Sequence, residues 1–105
     1  MAQWDVYVNP NVRARAELPF LVVLQSDLLG SLLTRFVAPL ARSDGGPVGM
    51  PARLAPIFHI DGQALVLLLQ EAGALDARLL RLPVASLRGE SHRIVDAFDA
   101  ILRGI

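Results

Sequence analysis

His59 and His92 are the only histidines in the chain, so any proton transfer near neutral pH falls to them. Arg53 with His59 has the residue types for ribonuclease-like acid and base work on a phosphodiester. The pairing is weakly specified, because any small protein with ten arginines offers such a pair. Ser26 and Asp27 supply a hydroxyl beside a carboxylate. No histidine stands near them in the sequence and no GxSxG is present, so they fit a turn or cap at the end of a strand better than a nucleophile. A HExxH helix, a Gly-rich phosphate loop and ligand spacing for a metal are all missing from the sequence. Without cysteine there is neither a disulfide nor a thiolate. The search for a catalytic centre mostly comes up empty, and no metal and no cofactor are expected.

The elements that would position these groups can be read from periodicity. Trp4, Val6 and Val8 alternate with Asp5 and Tyr7, the period of a half-buried strand, which Asn9, Pro10 and Asn11 end. Residues 12–17, VRARAE, form a charged loop or a weak edge strand, and Arg13 and Arg15 are candidate contacts for an acidic partner. Residues 18–25 read as a buried strand that Pro19 opens, and Leu28, Leu29 and Leu32 follow in a connection with room for a helical turn. Residues 35–41, RFVAPLA, predict a third strand whose proline argues against a central place in the sheet. Residues 42–51, RSDGGPVGMP, predict a mobile recognition loop or a plain connector.

Asp61-Gly62 between two apolar runs predicts a tight hairpin over 55–70, since both turn residues must take positive φ. Its second strand is apolar without alternation from Ala64 to Leu69, which calls for cover on both faces, by core, helix or a second subunit. Residues 72–74 predict a break, and 78–82, RLLRL, a short strand closed by Pro83. Residues 91–105 predict a terminal helix with Ile94, Ala97, Phe98, Ile101 and Leu102 on its buried face. His92, Asp96, Asp99 and Arg103 take the other face, paired as His92 with Asp96 and Asp99 with Arg103 at i, i+4. Gly104 fits a left-handed stop after the helix. The fold class is mainly β with one C-terminal helix.

The totals suit one domain over residues 1–105. Apolar residues make up 53% of the chain, more than a small interior can hide, which predicts a homodimer. Ten basic residues, all arginine, balance ten acidic ones, so bulk attraction to nucleic acid or an anionic membrane is absent and no direct nucleic-acid binding is expected. The amino terminus lacks the pattern of a signal peptide, and the longest apolar run falls far short of the roughly 18 residues that span a bilayer. A cytoplasmic protein is expected.

Taken together, LVVLQSDLL at residues 21–29, FVAPL at 36–40, IDG at 60–62 and the closing Gly104 and Ile105 resemble the CcdB family, toxins of bacterial toxin-antitoxin modules. The resemblance spans nearly the whole chain, and LQSD and the terminal Gly-Ile are its most specific parts. It implies an SH3-like barrel of the CcdB and MazF type with a terminal helix, assembled as a two-fold homodimer. It also implies that the protein is not an enzyme but binds the A subunit of DNA gyrase, traps that enzyme on cleaved DNA, and is neutralised by a CcdA-like antitoxin with a disordered tail.

By position, the gyrase-binding surface of the best-studied member corresponds to Leu28 and Leu29, then Asp99, Leu102, Arg103, Gly104 and Ile105. That member has Trp where this chain has Arg103, and its indole stacks on a gyrase arginine. A guanidinium there gives up about 0.5–2 kcal/mol of cation-π attraction and adds like-charge repulsion. The member also has an amide where this chain has Asp99, and an acid there can offset Arg103. Candidate antitoxin contacts are Arg13, Arg15, Arg42, Ser43 and Asp44, where an acidic tail would meet guanidinium forks. Two alternatives stand beside this reading: a ribonuclease toxin of the same barrel, and a non-toxic relative kept for antitoxin binding.

Overall fold

A computed structural model of the chain describes residues 2–42 and 52–104. Seven strands form one antiparallel, nearly closed barrel: β1 (Asp5–Val8), β2 (Phe20–Val23), β3 (Thr34–Arg42), β4 (Ile57–Ile60), β5 (Gln63–Leu67), β6 (Gly73–Asp76) and β7 (Ala85–Ser86). The path runs β4-β5-β3-β2-β1-β7, with β6 paired to the first half of β3. Among the described residues a single α-helix, α1 (Ser91–Arg103), follows the last strand. The fold is therefore mainly β, an SH3-like barrel with a docked C-terminal helix.

Period-two alternation sorts the strand side chains into two clusters. Val6, Val22, Ala38 and Leu40 point to one, where Phe58, Leu65, Leu67, Ile94 and Ala97 join them beneath α1. Tyr7, Leu21, Val23 and Val37 point to the other, covered by Leu80 and Leu75. Strand β1 is consequently buried on both faces, not half-buried as its Trp-Val-Val alternation predicted. Likewise Leu65, Val66 and Leu67 of β5 are all buried within one chain, so a second subunit is not needed to cover that run.

Pro39 does not exclude β3 from the centre. The strand pairs with β2 on one side and with β5 and β6 on the other. Leu24 N–H donates to the Phe36 carbonyl at 2.8 Å, and alternation along that ladder turns the nitrogen of Pro39 away from β2. On the other side Pro39 stands where the partner changes, between Val37 opposite Gly73 and Leu40 opposite Leu67. Its carbonyl still accepts from Leu68 N–H at 3.0 Å. Only one donor is missing, at the point where one ladder gives way to another.

Two further expectations fail for the same kind of reason. Residues 72–74, taken as a break, instead lead into β6, which starts at Gly73, because β3 offers an open edge to pair with. Residues 78–82, taken as a strand, hold instead a 3-10 turn over Ala77–Leu79 that buries Leu80 while Leu79, Arg81 and Leu82 stay exposed. The Asp76 side chain opens that turn by accepting from Arg78 N–H at 2.9 Å, a local hydrogen bond that competes with extended pairing. The Asp-Gly hairpin forms as expected, with φ of 50° at Asp61 and 80° at Gly62. Residues 43–51, nine of the ten of the predicted recognition loop, lie outside the described residues.

Candidate functional site

The terminal helix presents one edge of the site. Ile94, Ala97 and Ala100 are buried, and Phe98 and Ile101 are half-buried, with the Phe98 ring centroid 6.1 Å from that of Phe36. Leu102, expected on the buried face, is 72% exposed. At about 100° per residue it lies roughly 80° around the helix from Ile94, beyond one edge of the buried stripe, while Ala97 and Ala100 extend the buried face on the other side. Gly104 then takes φ of 74° and its N–H donates to the Ala100 carbonyl at 2.7 Å, ending the helix as its sequence predicted.

Arg93 fastens this helix to the barrel, a role the sequence reading missed. Its guanidinium stacks 4.5 Å from the Phe58 ring centroid, donates to the Ile57 carbonyl at 2.7 Å and pairs with Glu90 at 2.8 Å. An i, i+3 Glu-Arg pair ahead of an apolar stripe was the available signal. On the exposed face Asp99 and Arg103 form the expected ion pair, with Nε to Oδ1 at 2.8 Å and Nη2 to Oδ2 at 2.5 Å. That two-pronged bond holds the Asp99 carboxyl below its ordinary range and raises Arg103. Among the described residues His92 and Asp96 make no such pair.

Between α1 and the start of the barrel runs a groove of about 330 Å³, lined by Gln3, Trp4, Leu24, Ile94, Val95, Phe98, Asp99 and Leu102. Trp4 adopts φ of 74°, a left-handed conformation that costs a bulky L-residue on the order of 1–2 kcal/mol. It is held there by Trp4 N–H donating to the Val23 carbonyl at 2.8 Å and by Leu87 N–H donating to the Trp4 carbonyl at 2.9 Å. Nothing in a strand-like MAQWDVYV segment signals a left-handed tryptophan.

Gln3 connects this groove to the turn that carries Leu28 and Leu29. Its N–H donates to Asp27 Oδ1 at 2.7 Å, and its Nε2 donates to the Leu24 carbonyl at 2.9 Å. The turn itself, Asp27–Leu29, is capped by Ser26, whose hydroxyl accepts from Leu28 N–H at 3.1 Å. Ser26 and Asp27 thus act as a cap and a tether, in keeping with the turn reading of these residues. Leu28 is left 93% exposed, and Leu29, Leu32 and Leu33 are exposed beside it. The loop after the turn is held by Arg35, 91% buried, which donates to the carbonyls of Gly30, Leu32 and Thr34 at 2.8, 2.5 and 2.9 Å. Three carbonyl dipoles compensate its buried charge.

The remaining candidates separate. Arg13 is exposed on the 3-10 turn Val12–Ala14, and Arg15 Nε donates to the Asn9 carbonyl at 2.6 Å. Arg42 is exposed and also ties the barrel together, with Nε donating to the Ala16 carbonyl at 2.7 Å and Nη1 to Gln63 Oε1 at 2.5 Å. Ser43, Asp44 and Ile105 lie outside the described residues. His59 is exposed on β4 and does not line the cleft that holds Arg53 with Ala55, Pro56, Ile57, Arg93 and Asp96. Among the described residues no three His, Cys, Asp or Glu side chains gather as a metal would need, and no helix is long and apolar enough to cross a membrane.

The described residues thus form a small antiparallel barrel with a docked helix and an apolar groove beside it. Residues 3–104 match the family described as CcdB protein, so the chain belongs to the CcdB family, the toxin side of toxin-antitoxin modules. No curated protein sequence matches the chain.

Proposed function

We propose that this toxin acts by binding, not by catalysis, and that its target is the A subunit of DNA gyrase, which it holds on cleaved DNA. The observation that carries this reading is the continuity from the exposed Leu28-Leu29 turn through the Asp27-Gln3 hydrogen bond to the helix groove edged by Asp99 and Leu102. These are the positions that the family resemblance assigns to gyrase, and they share one side of the barrel. The Asp99-Arg103 ion pair answers the replacement of an indole by a guanidinium, because a neutralised arginine repels a gyrase arginine less.

The binding unit is a homodimer, supported by an apolar content of 53% and by the exposed Leu32 and Leu33. Neutralisation falls to an antitoxin with an acidic disordered tail, for which Arg13, Arg15, Arg42, Ser43 and Asp44 are the contacts. The place of action is the cytoplasm, where gyrase works.

Calorimetric titration of the gyrase A subunit with the purified toxin tests the surface. Leu28→Glu and Leu102→Glu change exposed side chains, so both variants should melt like the parent. Each should weaken binding by about tenfold or more, as for loss of an apolar anchor at an interface. Binding unchanged in both variants would remove this surface from the account.

A further inference from the structure

The ladder between β2 and β3 opens just beyond Val23. Extended by one residue, its register sets Leu24 opposite Phe36, a pair that in a regular antiparallel ladder exchanges two hydrogen bonds. Only one of them forms, with Leu24 N–H donating to the Phe36 carbonyl at 2.8 Å. The two groups of the return bond turn to glutamine side chains. Phe36 N–H donates to Gln25 Oε1 at 2.9 Å, and the Leu24 carbonyl accepts from Gln3 Nε2, also at 2.9 Å. Each glutamine replaces a backbone partner, so the strands part while both groups stay satisfied.

Gln25 also reaches the other way. Its Nε2 donates to the Leu29 carbonyl at 3.1 Å, an oxygen that Leu32 N–H meets at 3.1 Å as well. One amide therefore joins β3 to the turn Asp27–Leu29, gripping the strand through its oxygen and the turn through its nitrogen. Ser26 caps this turn from within and Asp27 ties its start to Gln3, whereas the Gln25 side chain holds its end. Leu28, 93% exposed, has almost no packing of its own, so the backbone beneath it sets where it points.

We propose that Gln25 is a positioning residue for gyrase binding, which fixes the direction of Leu28 and Leu29 through the Leu29 carbonyl and does not itself touch the partner. The inference rests on the gyrase reading given above. A neutral amide is the side chain this place calls for, since it offers an acceptor to Phe36 N–H and a donor to the Leu29 carbonyl at once. An ionised glutamate keeps only the first of these and a methionine neither. A turn set before the encounter avoids the ordering cost that a loose one meets on binding.

Gln25→Glu tests this, because it keeps the shape and the acceptor and removes the donor. Titrated into the gyrase A subunit, the full-length variant should melt like the parent yet bind about fivefold more weakly, as for one lost hydrogen bond. Gln25→Met, which adds no charge, should lose as much or more. Introduced beside Leu28→Ala, Gln25→Glu should cost only about twofold or less, since a brace counts only through the side chain it aims. A loss undiminished in that background would mean that Gln25 touches gyrase itself, and a loss in Gln25→Glu without one in Gln25→Met would mean charge repulsion; either overturns the proposal. So does a fall in the melting temperature of Gln25→Glu that accompanies the loss, which would mark a structural role alone. Equal binding by the parent and both variants overturns it while the gyrase reading stands, whereas a parent that does not bind gyrase removes that reading and this one with it.

Discussion

At position 103 the chain holds a guanidinium clamped by Asp99 where the best-studied relative presents an indole. Arg103→Trp should strengthen gyrase binding by about 0.5–2 kcal/mol, the worth of a cation-π contact, measured by the same titration. It should also release Asp99. The Asp99 carboxyl titrates below its ordinary value while Arg103 grips it, so the pair stabilises the helix fully above the unfolded value, about 3.9. That contribution fades as pH falls through the lower folded value. Carboxyl NMR titration should find Asp99 depressed in the parent and back near its ordinary value in Arg103→Ala; an unshifted Asp99 in both would remove the clamp. Asp76, drawn down to about 2 by the Arg78 guanidinium and backbone N–H, follows the same sign at the turn after β6.

Among the elements, the loop from Gly30 to Thr34 depends on one side chain. Replacing Arg35 by Met keeps the apolar bulk but leaves three carbonyls without their donor, a loss of about 1–3 kcal/mol in denaturant unfolding. Amide exchange over residues 28–34 should quicken as well, and exchange rates equal to the parent would mean that Arg35 does not order the loop. The sequence signalled little of this, because an arginine opening a strand looks like any exposed charge until its carbonyl partners are in place. Elements with local causes were legible: Asp61-Gly62 forces its own turn, Ser26 caps its own, and α1 stops at Gly104 through its own backbone. Elements made by distant partners were not. Strand β6 exists because β3 has an open edge there, Pro39 is tolerated where ladders change, and Trp4 is left-handed because β2 and residue 87 hold it.

For the whole molecule, the family and the barrel are legible in the sequence, and the groove beside the helix is not. Leu28, Leu29, Asp99 and Leu102 are candidates through the resemblance, whereas Gln3, Trp4, Leu24 and Val95, which line the groove beside Asp99 and Leu102, carry no motif. The exposed Leu32 and Leu33 beyond the turn predict self-association. Sedimentation equilibrium should give twice the chain mass, and a monomer at micromolar concentration would contradict the two-fold assembly. The central claim is poisoning by binding, and the most direct measurement is a DNA cleavage assay with gyrase of the toxin's own host. With folded toxin at micromolar dimer, linear DNA should accumulate after denaturation of the complex, should fall away with Leu102→Glu, and should rise with Arg103→Trp. Supercoiling that proceeds unhindered, with no cleaved DNA, would contradict the account.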